Sequence, residues 1–501
     1  MKGTFALVFA LTMAASFAAR AADDVAARPN VLFIIADDAS RHFGDAYGCS
    51  WVKTPNIDQL AKQGLVFDNA YTPTSKCAPS RAAILTGRNP WQLEEAANHQ
   101  PYFPLKFMAF SEALAKAGIQ TGGAGKTWGP GEAKSADGSQ RDFCLGSGGG
   151  KHGSDPGAAF ATFLTNSAPG MPFFYWFGSS YPHRSYDPHC GVAAGKKPSD
   201  VDRVPVYWPD NDLVRRDMLD YAVQLEAFDA QVGSLLSALE ASGKAKNTLV
   251  IVTSDHGMPF PRVKGHTYDD AHHVPFVASW PAGIVRPSRR VAEFISFIDL
   301  APTFFGLFGV DGAAQGMPPI TGRSFADLLH GEATKQRTTV ILGRERNDVL
   351  ARPGSPAGLG YPSRAIRSGD WFYVHNFKPD RWPCGDPDLG FKDSDASPSK
   401  TLLMESGEKD PFWHHAFGKR PAEQLFDLAR DPDCVTNLAA DPDFATPVVA
   451  LREQLMGELR KQHDPRVLGQ GDVFDQYESP RTKAADAVPE KEKRKKKQSQ
   501  D

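Results

Sequence analysis

The sequence predicts an α/β protein: a large, mostly parallel sheet flanked by helices, followed by a smaller C-terminal α+β domain. Three observations predict it. Continuous apolar runs of strand length end abruptly in polar residues, helical patterns separate those runs, and Gly, Pro and Asp become frequent after about Arg344. A strand buried on both faces needs an apolar residue at every position, and strands alternating with helices build parallel sheets.

The elements follow in order. Met1-Lys2, an apolar run from Phe5 to Ala15 and Ala19-Arg20-Ala21 are the three parts of a secretory signal peptide over residues 1–21. The run is short for a bilayer, which takes about 20 residues. An exported protein, periplasmic or secreted and with no stable membrane span, is expected. Asn30–Ala36 is the first buried strand and ends in Asp37-Asp38. Pro172–Phe177 is another, leading to Ser180-Tyr181-Pro182-His183. Asn247–Thr253 is a third, ending in Ser254-Asp255-His256-Gly257. Helical patterns cover Ile57–Gln63, Ser111–Ala117 and the long amphipathic stretch Leu213–Leu239. A catalytic domain is expected over 28–344 and a smaller domain over 345–470. The smaller one holds strand-like runs such as Trp371–His375 and a last helix near Thr446–Lys461. Residues 480–501, with the run EKEKRKKK, read as a charged disordered tail.

Charge narrows the function. The 501 residues carry 56 basic and 59 acidic side chains, net −3. That balance excludes a protein that coats nucleic acid through bulk charge, and no nucleic-acid partner is expected. The first 21 residues contribute +2 and the stretch from Lys483 contributes +3, so the body between them carries −8. Any anion it binds must be held locally. Six cysteines are too few for a disulfide scaffold.

Two clusters carry chemistry. Adjacent carboxylates at a strand exit repel unless a cation or hydrogen bonds neutralise them. Alone, Asp37-Asp38 would equally suit a solvated turn or a helix cap, but Asp255-His256 ends a second strand in the same way. Three carboxylates and an imidazole suit a hard divalent ion, Ca²⁺ or Mg²⁺. The other cluster is Ser75-Lys76-Cys77-Ala78-Pro79-Ser80-Arg81, with a cysteine before a helix and an arginine one turn on. A helix amino terminus and a guanidinium both favour an anion there; a buried structural cysteine is the other reading.

Cys77-Ala78-Pro79-Ser80-Arg81, followed by Leu85-Thr86-Gly87, resembles the signature of the type I, formylglycine-dependent sulfatases of the alkaline phosphatase superfamily. Further matches come in family order. Asn30–Asp38 resembles the opening strand, and Thr54–Ala61 the first helix. Gln424–Leu428 with Asp431-Pro432 and Asn437-Leu438 resembles the carboxy-terminal signature. The resemblance implies an alkaline phosphatase-like fold and a sulfuric ester or sulfamate hydrolase. It implies that a formylglycine-generating maturation enzyme converts Cys77 to an aldehyde. One hydroxyl of the aldehyde hydrate then attacks sulfur and the other expels sulfate. Asp37, Asp38, Asp255 and His256 would hold Ca²⁺, in preference to Mg²⁺, with an oxygen of the modified Cys77. Arg81 would steady the hydrate, Lys126 and Lys264 would bind sulfate oxygens, and His183 would act as acid at the scissile atom.

The chain departs from the family once. Many members carry a histidine two or three residues after the lysine of a Gly-Lys motif, but Gly125-Lys126-Thr127-Trp128-Gly129-Pro130 has none. His99, His266, His272 and His273 are open candidates for that role. Pro172–Tyr175, Pro182-His183-Arg184 and Thr253–Pro261 most resemble the heparan N-sulfatase (sulfamidase) branch, implying N-sulfoglucosamine as substrate. The spacing from Lys264 to His273-Val274-Pro275 is similar to the iduronate-2-sulfatase branch. An O-sulfatase of another sulfated polysaccharide or glycosaminoglycan therefore stays open, as does a phosphodiesterase or phosphonate hydrolase of the same superfamily. Arg184, His189, Arg344, Arg346 and Asn347 are candidates for the mouth of the pocket. Conversion of Cys77 leaves five cysteines, with Cys384 and Cys434 a candidate bridge and at least one thiol expected free.

Overall fold

The computed structural model describes residues 28–144, 155–331 and 337–482. The expected signal peptide, and all but the first three residues of the expected tail, lie outside them. Seven strands form the main sheet: β1 Asn30–Ala36, β2 Leu65–Tyr71, β3 Gln120–Gly125, β4 Phe173–Gly178, β5 Thr248–Ser254, β6 Phe276–Ser279 and β7 Arg289–Ser296. Across the sheet they run β3-β4-β1-β5-β6-β2-β7. The β6 strand is antiparallel to both neighbours and the other pairs are parallel, so the sheet is mixed but mostly parallel.

The β1 strand shows why its sequence is apolar throughout. All seven residues are buried. Leu32, Ile34 and Ala36 enter the core on one face, while Val31, Phe33 and Ile35 enter the core on the other. The first face is covered by α4 (Asp212–Ala241), whose Val214, Met218, Leu225, Phe228, Val232 and Leu235 recur at helical spacing. The second is covered by α2 (Cys77–Thr86), α3 (Phe110–Lys116) and α5 (Leu300–Phe308). There Phe33 meets Trp176 edge-on at 5.0 Å and Phe304 at 5.9 Å. Burying each such side chain stabilises the fold by about 1.5–3 kcal/mol. The first helix, α1 (Pro55–Gln63), is capped across the fold: Asp229 of α4 accepts hydrogen bonds from the backbone N–H of Asn56 and Ile57.

Register positions the site. Ala36 pairs with Ser254, and Ile35 with Gly178, so β1, β5 and β4 end side by side. Residues 37–38, 255–256 and 179–183 therefore leave the sheet at one place, beyond its carboxyl edge, where ligands of such sheets gather.

A second sheet of β8 Thr339–Arg344, β9 Ser363–Ser368, β10 Trp371–Asn376 and β11 Glu423–Asp427 is antiparallel throughout. Its Ile366, Tyr373 and Leu425 pack on Val448, Leu451, Leu455 and Leu459 of α6 (Ala445–Lys461). The helices Pro398–Ser406 and Pro411–Phe417 return to the main body and join the core on the α4 face. No helix among the described residues is long and apolar enough to cross a membrane.

The bridge expected between Cys384 and Cys434 does not form; all six cysteines are free thiols. The two belong to different cores. Cys384 lies on the α4 face with its Sγ 2.9 Å from His266 Nε2, and Cys434 lies with Phe372 and Phe426 of the small sheet.

Candidate active site

Cys77 opens α2 and is almost wholly buried, beneath a cavity of about 790 Å³. The cavity is lined by Asp37, Lys126, His183 and Lys264 among the expected residues. Asp38 takes φ +75°, in the left-handed region, while its N–H donates to Asp255 Oδ1 at 3.1 Å. Such strain is stored where the surroundings over-determine it, and here it sits between two candidate metal ligands. Arg81, one turn into α2, donates from Nε to Asp255 Oδ2 at 2.9 Å and from a terminal nitrogen to the Lys126 carbonyl.

Lys126 reaches Asp37 with both oxygens in range, at 2.9 and 2.7 Å. Its backbone can lie so close to the end of β4 only because that strand ends in glycine: a Cβ on Gly178 would stand 1.8 Å from the Lys126 carbonyl oxygen. Lys264 donates to Asp38 Oδ2 at 2.6 Å and lies 2.8 Å from Asp395. His183 Nε2 lies 3.9 Å from Asp38 Oδ2, with 38% of its side chain open to solvent.

These charges share one low-dielectric site, and their pKa values follow. Burial pushes Asp37 up, against the pull of Lys126, and the nearby Asp255 and Asp38 push it further. Burial would also raise the Cys77 thiol, but Lys126, His99 and His256 hold it well below the usual thiol range. Burial works against a charged His256, yet Asp255 and Asp38 raise it to about 10.

The donor set fits a divalent cation. Asp37, Cys77, Asp255 and His256 each place one ligand atom within 4.8 Å of the others. His256 Nε2 and Asp38 Oδ1 are buried 3.0 Å apart, yet neither has a hydrogen-bond partner. Two buried polar atoms left facing each other in this way are suited to a shared ion.

The structure separates the four open histidines. His99 Nε2 is 3.3 Å from Cys77 Sγ, and its Nδ1 is 3.1 Å from Asp348 Oδ1. Asp348 also takes Lys76 Nζ at 2.8 Å. The other three are engaged elsewhere: His266 with Cys384, His272 with the Thr72 carbonyl, His273 with Asp269 and the Asp68 carbonyl. Trp128, two residues after Lys126, lines the cavity and donates to the Ala78 carbonyl at 3.2 Å.

Of the mouth candidates, Arg184 lines the cavity, although Asp217 holds its guanidinium at 2.8 Å. The other four do not. His189 is exposed at the start of a short helix. Arg344, Arg346 and Asn347 are buried, and their side chains donate to the carbonyls of Pro383, Tyr477 and Gly265. Their neighbour Asp348 lines the cavity instead, with Lys76, Gln100, Gln224, Asp395 and Arg481. Sequence reasoning missed these as site residues. Lys76 carried a signal, a lysine directly before the helix-opening cysteine; Asp348 and Asp395 carried none.

A family model described as Sulfatase matches residues 29–310. The human protein N-sulphoglucosamine sulphohydrolase is 30% identical over 91% of this chain and 94% of its own length. An ulvan-active sulfatase of Formosa agariphila is 27% identical over 88% of this chain and 82% of its own. Among solved structures, one of a protein in complex with its substrate D-glucosamine-2-N,6-O-disulfate superposes with a TM-score of 0.61 at 20% identity. It covers 87% of this chain and 98% of its own.

Proposed function

The chain belongs to the sulfatase family, and from that premise we propose that it removes sulfate from a sulfated glycan, N-sulfoglucosamine first. In this reading a formylglycine-generating enzyme matures Cys77, a divalent cation, Ca²⁺ before Mg²⁺, completes the site, and the leader at 1–21 exports the protein. The observation that carries it is the convergence on Cys77: the carboxylates of Asp37 and Asp255, His256, Arg81, Lys126 and His99 surround one buried side chain.

Cys77 Sγ marks where the oxygens of an aldehyde hydrate would stand; that group supplies a nucleophilic hydroxyl and a second hydroxyl for release of sulfate. Asp37, Asp38, Asp255 and His256 would hold the cation, whose charge lowers the pKa of a nearby hydroxyl and shields sulfate. Lys126 and Lys264 hold sulfate oxygens at the amino terminus of α2 and spread transition-state charge. Arg81 fixes Asp255 and the Lys126 carbonyl, and its buried charge acts on position 77 at short range. His99 is the base, taking a proton from an oxygen at position 77, and Asp348 holds its ring through Nδ1. His183 gives a proton to the leaving atom.

Mass spectrometry of the protein from its native host should find residue 77 with CH₂SH exchanged for CHO. Active enzyme with unmodified Cys77 would overturn the reading. The similarity to an ulvan-active sulfatase favours an O-sulfated polysaccharide as second reading. A panel of defined sulfated mono- and disaccharides separates the two by which sulfate is released.

A further inference from the structure

Asp395 is not explained by sulfate binding. It comes from the segment after the small sheet's third strand, lines the cavity and has 22% of its side chain open to it. Its carboxylate lies 2.8 Å from Lys264 Nζ, and Asp38, His183 and Asp395 each place one ligand atom within 4.8 Å of the others. In the proposed reaction His183 serves the leaving atom, which would set the Asp395 carboxylate beside the leaving group. The lysines nearby are already paired: Lys264 lies between Asp38 and Asp395, Lys126 on Asp37, Lys76 on Asp348. Arg481 also lines the cavity, but on its exposed rim.

Resting on the sulfatase reading, we propose that Asp395 is a specificity-determining residue that makes the cavity favour a nitrogen leaving group over an oxygen one. When an S–N bond breaks as the nucleophile at position 77 bonds to sulfur, the electron pair passes to nitrogen. In a sulfamate the nitrogen lone pair takes the His183 proton before that bond breaks, so nitrogen carries positive charge as cleavage begins; the neutral amine released then takes a second proton from water and ends as an ammonium. A carboxylate a few ångströms away stabilises that developing positive charge. An alcohol oxygen gathers negative charge as its S–O bond breaks and leaves neutral, so the same carboxylate opposes it or gains nothing.

The test compares N-sulfoglucosamine with glucose 2-O-sulfate, which differ at the scissile atom, on enzyme bearing formylglycine and loaded with Ca²⁺. Asp395→Asn should lower kcat/KM for the N-sulfate by about 30-fold and change the O-sulfate by less than about threefold. Asp395→Glu should keep the preference. Calorimetry gives a second readout: wild type should bind glucosamine about tenfold more tightly than glucose, and Asp395→Asn should erase the difference. Equal losses on both sulfates would mean that Asp395 only positions Lys264, and would overturn the inference. So would a wild type that cleaves the O-sulfate alone, with the sulfatase reading intact. If fully matured enzyme cleaves neither, the proposed function falls, and the binding comparison decides the role of Asp395.

Discussion

Two buried charge clusters in this molecule use the same ingredients differently. Between the small sheet and the residues after α6, Arg364 grips Asp464 through two nitrogens at 2.7 and 3.1 Å and Glu345 at 2.8 Å. Arg466 holds Glu345 from the other side at 2.8 Å. Among the described residues, none of these four side chains has a buried polar atom without a partner. At the carboxyl edge of the main sheet the carboxylates are equally buried, but His256 Nε2 and Asp38 Oδ1 are left over. The first cluster is closed and holds the domain together. The second leaves two buried atoms facing each other without a hydrogen bond, an arrangement suited to a shared cation. What distinguishes a functional cluster of buried charge is the satisfaction of its atoms, not their number.

The comparison breaks most sharply at Cys77. Cys77→Ala should abolish turnover, by on the order of 10⁴-fold or more, with thermal stability nearly unchanged in a kinetic assay paired with a melt. Next come opposed substitutions in the two clusters. Asp464→Ala leaves Arg364 short of a partner and should cost about 3–5 kcal/mol in denaturant unfolding. Asp37→Asn removes one of three mutually repelling carboxylates and should raise the melting temperature in chelator. A loss of stability in both would erase the distinction between the two clusters.

Ca²⁺ at about 100 times its dissociation constant should stabilise wild type by about 2.7 kcal/mol, and Asp37→Asn should lose that response. His99→Ala should lower kcat by about 10²-fold, leaving the Ca²⁺ response in place. The smallest effect is expected at Asp270, a carboxylate with one neutral partner, Tyr207, at 2.6 Å. Burial pushes it up to about 6 from an ordinary 3.8. The folded state therefore favours the protonated form: its contribution is fully present below about 3.8 and is lost as pH rises through 6. Asp270→Asn should flatten the stability curve over that window and raise stability above it, read from melts between about pH 4 and 7.

Much of the fold was legible because its signals are local. The apolar runs of β1, β4 and β5 match the observed strands to within a residue, and the long stripe predicts α4. The strand-end acids and Cys77 were legible for the same reason: each motif is contiguous, and parallel register then aligns the ends. The mouth was not. Arg344, Arg346 and Asn347 were chosen for nearness to a domain junction, yet their side chains point into the protein and satisfy carbonyls there.

By itself, then, the sequence determined the sheet's central strands, the Asp37-Asp38 and Asp255-His256 pairs at their ends, the cysteine at a helix start and the family. Only the tertiary structure decided that His99, rather than three other histidines, reaches Cys77. It alone set Asp348 and Asp395 in the cavity wall and kept Cys384 and Cys434 apart. Periodicity and motif spacing act over a few residues, whereas His99 meets Asp348 across 249 positions of chain. Contacts of that separation depend on how whole layers pack, and no short stretch of sequence carries that information.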